Sequence, residues 1–75
     1  MSIDVVLRSE GRRAVESGRI REVREAARLS RSDFASELNV TPACVSLWEA
    51  GLRVPRGESA ERLAQLLRTL EQIPA

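Results

Sequence analysis

The apolar residues of this chain recur mostly at intervals of three and four positions, which is the spacing of one face of a helix. Ile20, Val23 and Ala27 share such a face in residues 19–28. A longer stripe in residues 58–72 consists of Ala60, Leu63, Ala64, Leu67 and Leu70. Because no segment shows the sustained apolar–polar alternation of a strand, the pattern predicts an all-α fold, a small bundle of about four or five helices.

Two short helices are predicted in the middle of the chain from residues that favour helix ends. The Ser30 side chain can accept a hydrogen bond from a free backbone N–H of the next turn, so a helix is expected over 31–38. Thr41 is a good N-cap, and Pro42 at the first helical position loses no hydrogen bond. Gly51 is the kind of residue that ends a helix. The second helix is therefore expected over about 41–50.

The first 17 residues leave more than one interpretation open. Ser2 can cap a helix over 2–16, whose inner side would hold Ile3, Val6, Leu7, Ala14 and Val15. Gly11 disfavours this helix by about 1 kcal/mol relative to alanine, and a short strand at 3–7 is the competing prediction. We treat 1–17 as an N-terminal extension to a domain over 18–75. The extension is a helix that completes the fold, a dimer element or an arm that reaches DNA.

Residues 31–50 carry the pattern of a helix-turn-helix, two short helices joined by a sharp three-residue turn. Ala35 is small where the two helices would cross, and Asn39 tolerates the positive φ that such a turn requires. The residues expected to point inward and hold the helices together are Phe34, Leu38, Val40, Val45 and Trp48. A core position is the expected role of Trp48, rather than a stacking surface.

The charge balance does not match a non-specific nucleic-acid coat. The 75 residues suit one small domain, and twelve basic against eleven acidic residues give a net charge of +1. Every basic residue is arginine. Genomic base composition is the simpler explanation, and the affinity of arginine for phosphate and guanine is the functional one.

Composition argues against several other classes of function. The chain has no histidine and no tyrosine, and Cys44 is its only cysteine. A zinc site would therefore lack its usual ligands, and nothing sets a nucleophile beside a base. We expect no enzyme activity, no metal or other cofactor and no small-molecule substrate. Since neither a signal peptide nor a membrane span is indicated, we expect a cytoplasmic protein with no membrane partner.

Residues at several fixed spacings together point to a known family. They are Ile20–Arg24, Leu29–Ser30, Ala35, Asn39–Thr41, Val45–Gly51 and Pro55. Over about residues 19–70 the chain resembles the helix-turn-helix domains of phage-repressor and Cro-like regulators, the xenobiotic-response-element group. The resemblance implies a lambda-repressor-like bundle from a bacterium or phage. It also implies double-stranded DNA as the partner, regulation of transcription, usually as a repressor, and a homodimer.

The resemblance also implies roles for individual residues. Arg31 stands where the family usually has a glutamine that contacts a DNA phosphate, and Thr41 matches a hydroxyl residue with the same role. Arg24 and Glu49 match a partly buried salt bridge between helices. The remaining DNA-binding candidates are Pro42, Ala43, Ser46 and Leu47 on the face that enters the major groove, and Arg53 and Arg56 in the following loop.

The reading face departs from the family pattern. Pro42, Ala43 and Leu47 are apolar, which leaves Ser46 as the only polar side chain able to read bases. Alanine or leucine can contact a thymine methyl group, but the face lacks a bidentate hydrogen-bonding pair. We therefore expect sequence preference to come from DNA shape or from residues outside this helix.

Two further expectations concern partners. Leu66 and Ile73 lie off the stripe of the last helix and widen its apolar face; together with Leu70 they are either dimer interface or core. The alternative function is a protein-interaction module, such as an antitoxin or a phage-encoded modulator. In that case an exposed Leu47 beside Ala43 and Pro42 would form an apolar patch for a protein partner.

Overall fold

Five helices account for the regular structure of residues 2–72, the part of the chain that this computed structural model describes. Their bounds are Ile3–Ser17 for α1, Arg19–Ala26 for α2, Arg31–Leu38 for α3, Pro42–Glu49 for α4 and Glu58–Glu71 for α5. No strand occurs in these residues. The predicted all-α bundle is confirmed, and the first segment is a helix rather than a strand. None of these helices combines the length and apolar character that crossing a bilayer requires.

The predicted N-caps are present at three helices. The Ser2 hydroxyl accepts from the N–H of Val5 at 3.4 Å. Ser30 accepts from the N–H of Asp33 at 3.0 Å, and Thr41 accepts from that of Cys44 at 3.2 Å. Each cap satisfies one of the free backbone donors in the first turn of its helix.

Helices α2, α3 and α4 end in the same left-handed turn. In each, the C-cap residue or the one directly after it has a positive φ: 59° at Arg28, 59° at Asn39 and 74° at Gly51. After α3, Val40 N–H donates to the Ala35 carbonyl at 3.1 Å, which closes a Schellman turn. Asn39 and Gly51 could be anticipated, but an arginine in this conformation could not. Because Arg28 takes up this turn, α2 ends at Ala26, two residues before the predicted end at residue 28.

The core is built from all five helices and centres on the helix-turn-helix. Trp48 is only 2% exposed, which makes it a core residue as expected. The other members of the cluster are Ala14, Val15, Ile20, Phe34, Ala35, Leu38, Val45, Leu63 and Leu67. Leu66 and Leu70 are half-buried and pack against this cluster. Whether they also contact a second copy stays a prediction, and Ile73 lies outside the described residues.

Helix α1 packs most extensively against α5, and Gly11 is the point of closest approach. A Cβ atom at Gly11 would collide with the carbonyl group of Ala60. Ion pairs flank this contact, with Arg8 Nε 2.7 Å from Glu61 Oε1 and Arg68 Nε 2.8 Å from Glu10 Oε2. The glycine that disfavours the helix in the sequence is therefore the residue that allows α1 to dock. The division into an extension over 1–17 and a domain over 18–75 stays a prediction.

The inner side of α1 differs from the predicted one at its first turn. Leu7, Gly11, Ala14 and Val15 are buried, whereas Ile3 is 69% exposed and Val6 is 43% exposed. Val6 precedes Leu7 by one residue and is therefore rotated about 100° away from the buried row. Ile3 continues that row one turn earlier, but the bundle does not extend far enough to cover it.

Replacing Gly11 tests the α1–α5 contact. Helix propensity alone would make Gly11→Ala stabilising by about 1 kcal/mol. Because the new methyl group would meet the backbone of α5, we expect the free energy of unfolding to fall instead, by about 1–3 kcal/mol. Urea denaturation followed by circular dichroism measures the change. Arg13→Ala, at an exposed position of α1, is the control and should change stability by less than about 0.5 kcal/mol. A stabilised Gly11→Ala protein would contradict the proposed packing.

Candidate nucleic-acid interface

The outer face of α4 is the surface on which base-reading residues were predicted. Pro42, Ala43 and Ser46 are exposed on this face, at positions that a helix brings together. Leu47 is half-buried rather than exposed, so the prediction of a free Leu47 side chain is wrong. Its neighbours Val45 and Trp48 are buried, which places Leu47 at the edge between the core side and the outer face.

The loop after α4 is fastened to the end of that helix. The Leu47 carbonyl accepts hydrogen bonds from the N–H groups of Leu52 at 2.9 Å and Arg53 at 3.3 Å. Gly51, with its φ of 74°, makes this reversal without strain. As a result the first residues of the loop keep a fixed position relative to the outer face of α4.

Arg53 and Arg56 lie in this loop with their charges uncompensated. Both residues are exposed, and neither forms a salt bridge with any residue in the range 2–72. Both line a groove of about 690 Å³ between the loop and α4, together with Cys44, Trp48 and Val54. The loop that follows α4 therefore presents two free guanidinium groups next to the Cys44 and Trp48 side of that helix.

Most other arginines are neutralised by a carboxylate. Salt bridges within residues 2–72 involve Arg8, Arg19, Arg21, Arg24, Arg31, Arg62 and Arg68. Besides Arg53 and Arg56, the arginines without one in that range are Arg12, Arg13 and Arg28. Arg12 and Arg13 are exposed on α1, which packs mainly against α5 and α2. The net charge of +1 therefore conceals an uneven distribution of free positive charge.

Thr41 combines a structural role with an available donor. Its side-chain oxygen accepts the N–H of Cys44, which caps α4. The hydroxyl proton is not used by that bond and can be donated to an anion, since a hydroxyl group both donates and accepts. The positive end of the α4 dipole lies at the same place.

A buried carboxylate joins α2, α3 and α4. Glu49 is 5% exposed at its side chain, and Arg24 Nε lies 2.6 Å from its Oε2. Arg24 Nη2 donates to Glu49 Oε1 at 3.2 Å, and Arg24 Nη1 donates to the Leu29 carbonyl at 3.0 Å. The pair predicted from the sequence thus forms in the structure.

Arg31 also belongs to this ion pair, which the sequence reasoning missed. Its Nε lies 3.1 Å from Glu49 Oε1 while its side chain stays 46% exposed. The first turn of α3 comes beside the last turn of α4, so an arginine at this position reaches Glu49. The available signal was the residue type, because arginine replaces the glutamine that the family resemblance leads one to expect.

Two opposing effects act on the pKa of Glu49. Burial is the largest, and it raises the pKa. The hydrogen bonds from Arg24 and Arg31, together with their positive charges, outweigh burial and lower the pKa below the ordinary value of 4.5. Glu49 is therefore charged at neutral pH, and the cluster of Glu49, Arg24 and Arg31 carries one net positive charge.

The described residues hold no metal site. Within the range 2–72, no three histidine, cysteine or acidic side chains come together in a way that could bind a metal ion.

Two helices joined by a tight turn, the second with an exposed outer face and followed by a loop with free cationic groups, define a helix-turn-helix DNA-binding domain. A family model described as "Helix-turn-helix" matches residues 20–72. The chain therefore belongs to this family of DNA-binding regulators, the Cro/C1-type or xenobiotic-response-element group. Comparison with curated proteins and with solved structures finds no significant match. Helix α1 lies before the matched region.

Substituting Glu49 tests the cluster through the pH dependence of stability. The folded-state pKa of Glu49 is lowered, so the stability from its charged form is present above pH 4.5 and is lost as pH falls through the folded-state pKa. We expect Glu49→Gln to lower the free energy of unfolding at neutral pH by about 2 kcal/mol. The variant should also lose less stability than the wild type when the pH is lowered below that value.

Denaturation curves measured across the acid range check this expectation. Glu37→Gln serves as the control, because Glu37 is exposed on α3 and forms no salt bridge within residues 2–72. If Glu49→Gln and Glu37→Gln follow the same pH profile, the ion pair does not contribute to acid sensitivity.

Proposed function

We propose that the protein binds duplex DNA with sequence selectivity and represses transcription, with α4 lying in the major groove. The observation that carries this proposal is the exposed outer face of α4. Groups able to bind phosphate lie around this helix: Thr41 at its start, Arg31 beside its last turn, and Arg53 and Arg56 in the loop that follows it. In the helix-turn-helix geometry the second helix contacts bases while its surroundings contact the backbone.

Four side chains are proposed as phosphate contacts. Thr41 would donate its hydroxyl proton, and Arg31 would use the guanidinium donors that Glu49 leaves free. Arg53 and Arg56 are supported by their exposure and by the absence of a carboxylate partner within the described residues. Arginine suits this role because its donors match the geometry of a phosphate group.

Base readout is proposed to be mostly apolar and indirect. Pro42 and Ala43 can contact thymine methyl groups, and Ser46 can donate to or accept from either kind of base pair. Half-buried Leu47 offers less surface than an exposed leucine would. With no bidentate side chain on this face, the deformability and groove shape of the DNA would supply much of the selectivity.

The protein is proposed to act as a homodimer. A single module of this size buries only about 600–1,000 Å² on DNA, and dimers of such domains bind half-sites about 34 Å apart. Leu66 and Leu70 on α5 are the described residues proposed for the interface. Sedimentation of the protein alone and on a palindromic duplex measures the stoichiometry, and one copy per palindrome would refute the dimer.

The alternative of a protein-interaction module has lost part of its basis. It depended on an exposed Leu47, which is half-buried. The DNA-binding proposal is therefore the one that the surface supports.

Selection of bound duplexes from a random pool is the direct test. We expect a motif to emerge, and affinity for it to fall steeply with salt, because bound phosphates release counterions. The winning duplex and a scrambled one are then compared across a salt series. Equal affinity for both would refute sequence selectivity, while capture of a stoichiometric protein by a chain without DNA affinity would favour the alternative.

Charge removal at matched positions tests the loop arginines. We expect Arg53→Ala and Arg56→Ala each to make the negative slope of log affinity against log salt shallower by about 1, because each removes one phosphate contact. Arg12→Ala and Arg13→Ala remove the same charge from α1 and should leave the slope unchanged. Equal losses in all four variants would mean that the loop makes no specific backbone contact.

A further inference from the structure

The guanidinium of Arg31 is used on one side only. Its Nε donates to Glu49 Oε1 at 3.1 Å, and no other hydrogen bond of this side chain is made within residues 2–72. An arginine carries one donor on Nε and four on its two terminal nitrogens. The terminal nitrogens of Arg31 are thus free, and the side chain is 46% exposed. The residue is anchored by one edge of its guanidinium and open at the other.

The anchor is itself held firmly. Both oxygens of Glu49 accept from Arg24, whose third nitrogen donates to the Leu29 carbonyl. Glu49 is 5% exposed, and Arg24 is 9% exposed at its side chain. A long, flexible side chain such as Arg31 would otherwise sample many rotamers, and binding would have to restrict it. The contact with Glu49 restricts it before binding.

We infer that Glu49 is a positioning residue for DNA binding, which holds Arg31 by Nε and directs its terminal nitrogens toward a backbone phosphate. This inference rests on the proposed function. Glu49 does not itself contact DNA in this arrangement. Arg24 compensates its charge, so the cluster remains net positive and attractive to a phosphate.

Simple electrostatics predicts the opposite effect for the same substitution. Glu49→Gln removes a negative charge near the DNA, and charge alone would therefore tighten binding to a polyanion. Loss of positioning would weaken binding. The direction of the change in Kd thus separates the two explanations.

A double-mutant cycle with Glu49→Gln and Arg31→Gln measures the coupling on the selected duplex. We expect Glu49→Gln to raise Kd roughly three- to tenfold in the wild-type background. In the Arg31→Gln background the same change should raise Kd little or lower it. Effects of Glu49→Gln that act through Arg24 or through general stability appear in both backgrounds, so they cancel in the coupling free energy. Glu37→Gln, the exposed charge control, should leave Kd unchanged or lower it slightly.

The salt dependence of binding gives a second readout. The two substitutions should affect it differently, which a purely structural role of Glu49 would not predict. Arg31→Gln removes a phosphate contact and should make the negative slope of log affinity against log salt shallower by about 1. Glu49→Gln leaves the charge of Arg31 in place, so the affinity should fall while the slope is retained.

Arg31→Lys keeps the inference testable if Glu49→Gln does not fold. This variant leaves the Arg24–Glu49 pair intact and keeps the positive charge. Lysine has one nitrogen, a point charge without the rigid fork that lets arginine bind Glu49 by one edge and a phosphate by the other. We expect a weaker Kd with the slope retained.

Distinct outcomes separate this inference from the proposed function. A Glu49→Gln protein that binds as tightly as Glu37→Gln, or an Arg31→Lys protein equal to the wild type, overturns the positioning role. Arg31→Gln with an unchanged salt slope does the same, and in each of these cases DNA binding by the wild type still stands. A wild-type protein with no affinity for any duplex in the pool overturns both.

Discussion

The carboxylate of Glu49 is the constraint on which the helix-turn-helix depends. A buried charge is costly unless it is paired, and Glu49 is paired with arginines from both α2 and α3. These helices and α4 must therefore keep one relative arrangement for the charge to be tolerated. Loss of either arginine would leave the buried carboxylate less well compensated, which is costly to the folded state.

Helix α1 adds buried surface to a domain that is otherwise small. A chain this short buries only about 60% of its unfolded surface and has a thin margin of stability. By docking on α5, α1 adds Leu7, Ala14 and Val15 to the buried apolar surface, and ion pairs to α5 close the edges. The family match begins at residue 20, so α1 lies before the matched region and packs against the helices of that region.

Much of the fold could be predicted because its signals are local. N-caps such as Ser30 and Thr41 and the helical spacing of the apolar residues gave the number and type of elements. What could not be predicted depends on contacts between distant residues. The collision that Gly11 avoids needs the position of Ala60, and the exposure of Ile3 needs the limits of the bundle.

The candidate site was predictable to the same extent. The outer face of α4 and the place of Arg53 and Arg56 in the following loop could be predicted from the motif, whereas the anchoring of Arg31 arises only when α3 and α4 meet. The left-handed turn at Arg28 could not be predicted from the sequence for a different reason. Arginine disfavours positive φ, so only the surrounding structure can hold it there.

The confinement of free positive charge to a few arginines has a consequence for how the protein would find its site under the proposed function. Attraction between exposed charges fades within about 10 Å at moderate salt, and a net charge of +1 adds little beyond that distance. Time spent sliding along unrelated DNA grows with the number of phosphates that a protein holds at once. With only the proposed phosphate contacts, the domain would dissociate from such DNA readily. Its search would then proceed by repeated encounters through solution more than by travel along the duplex.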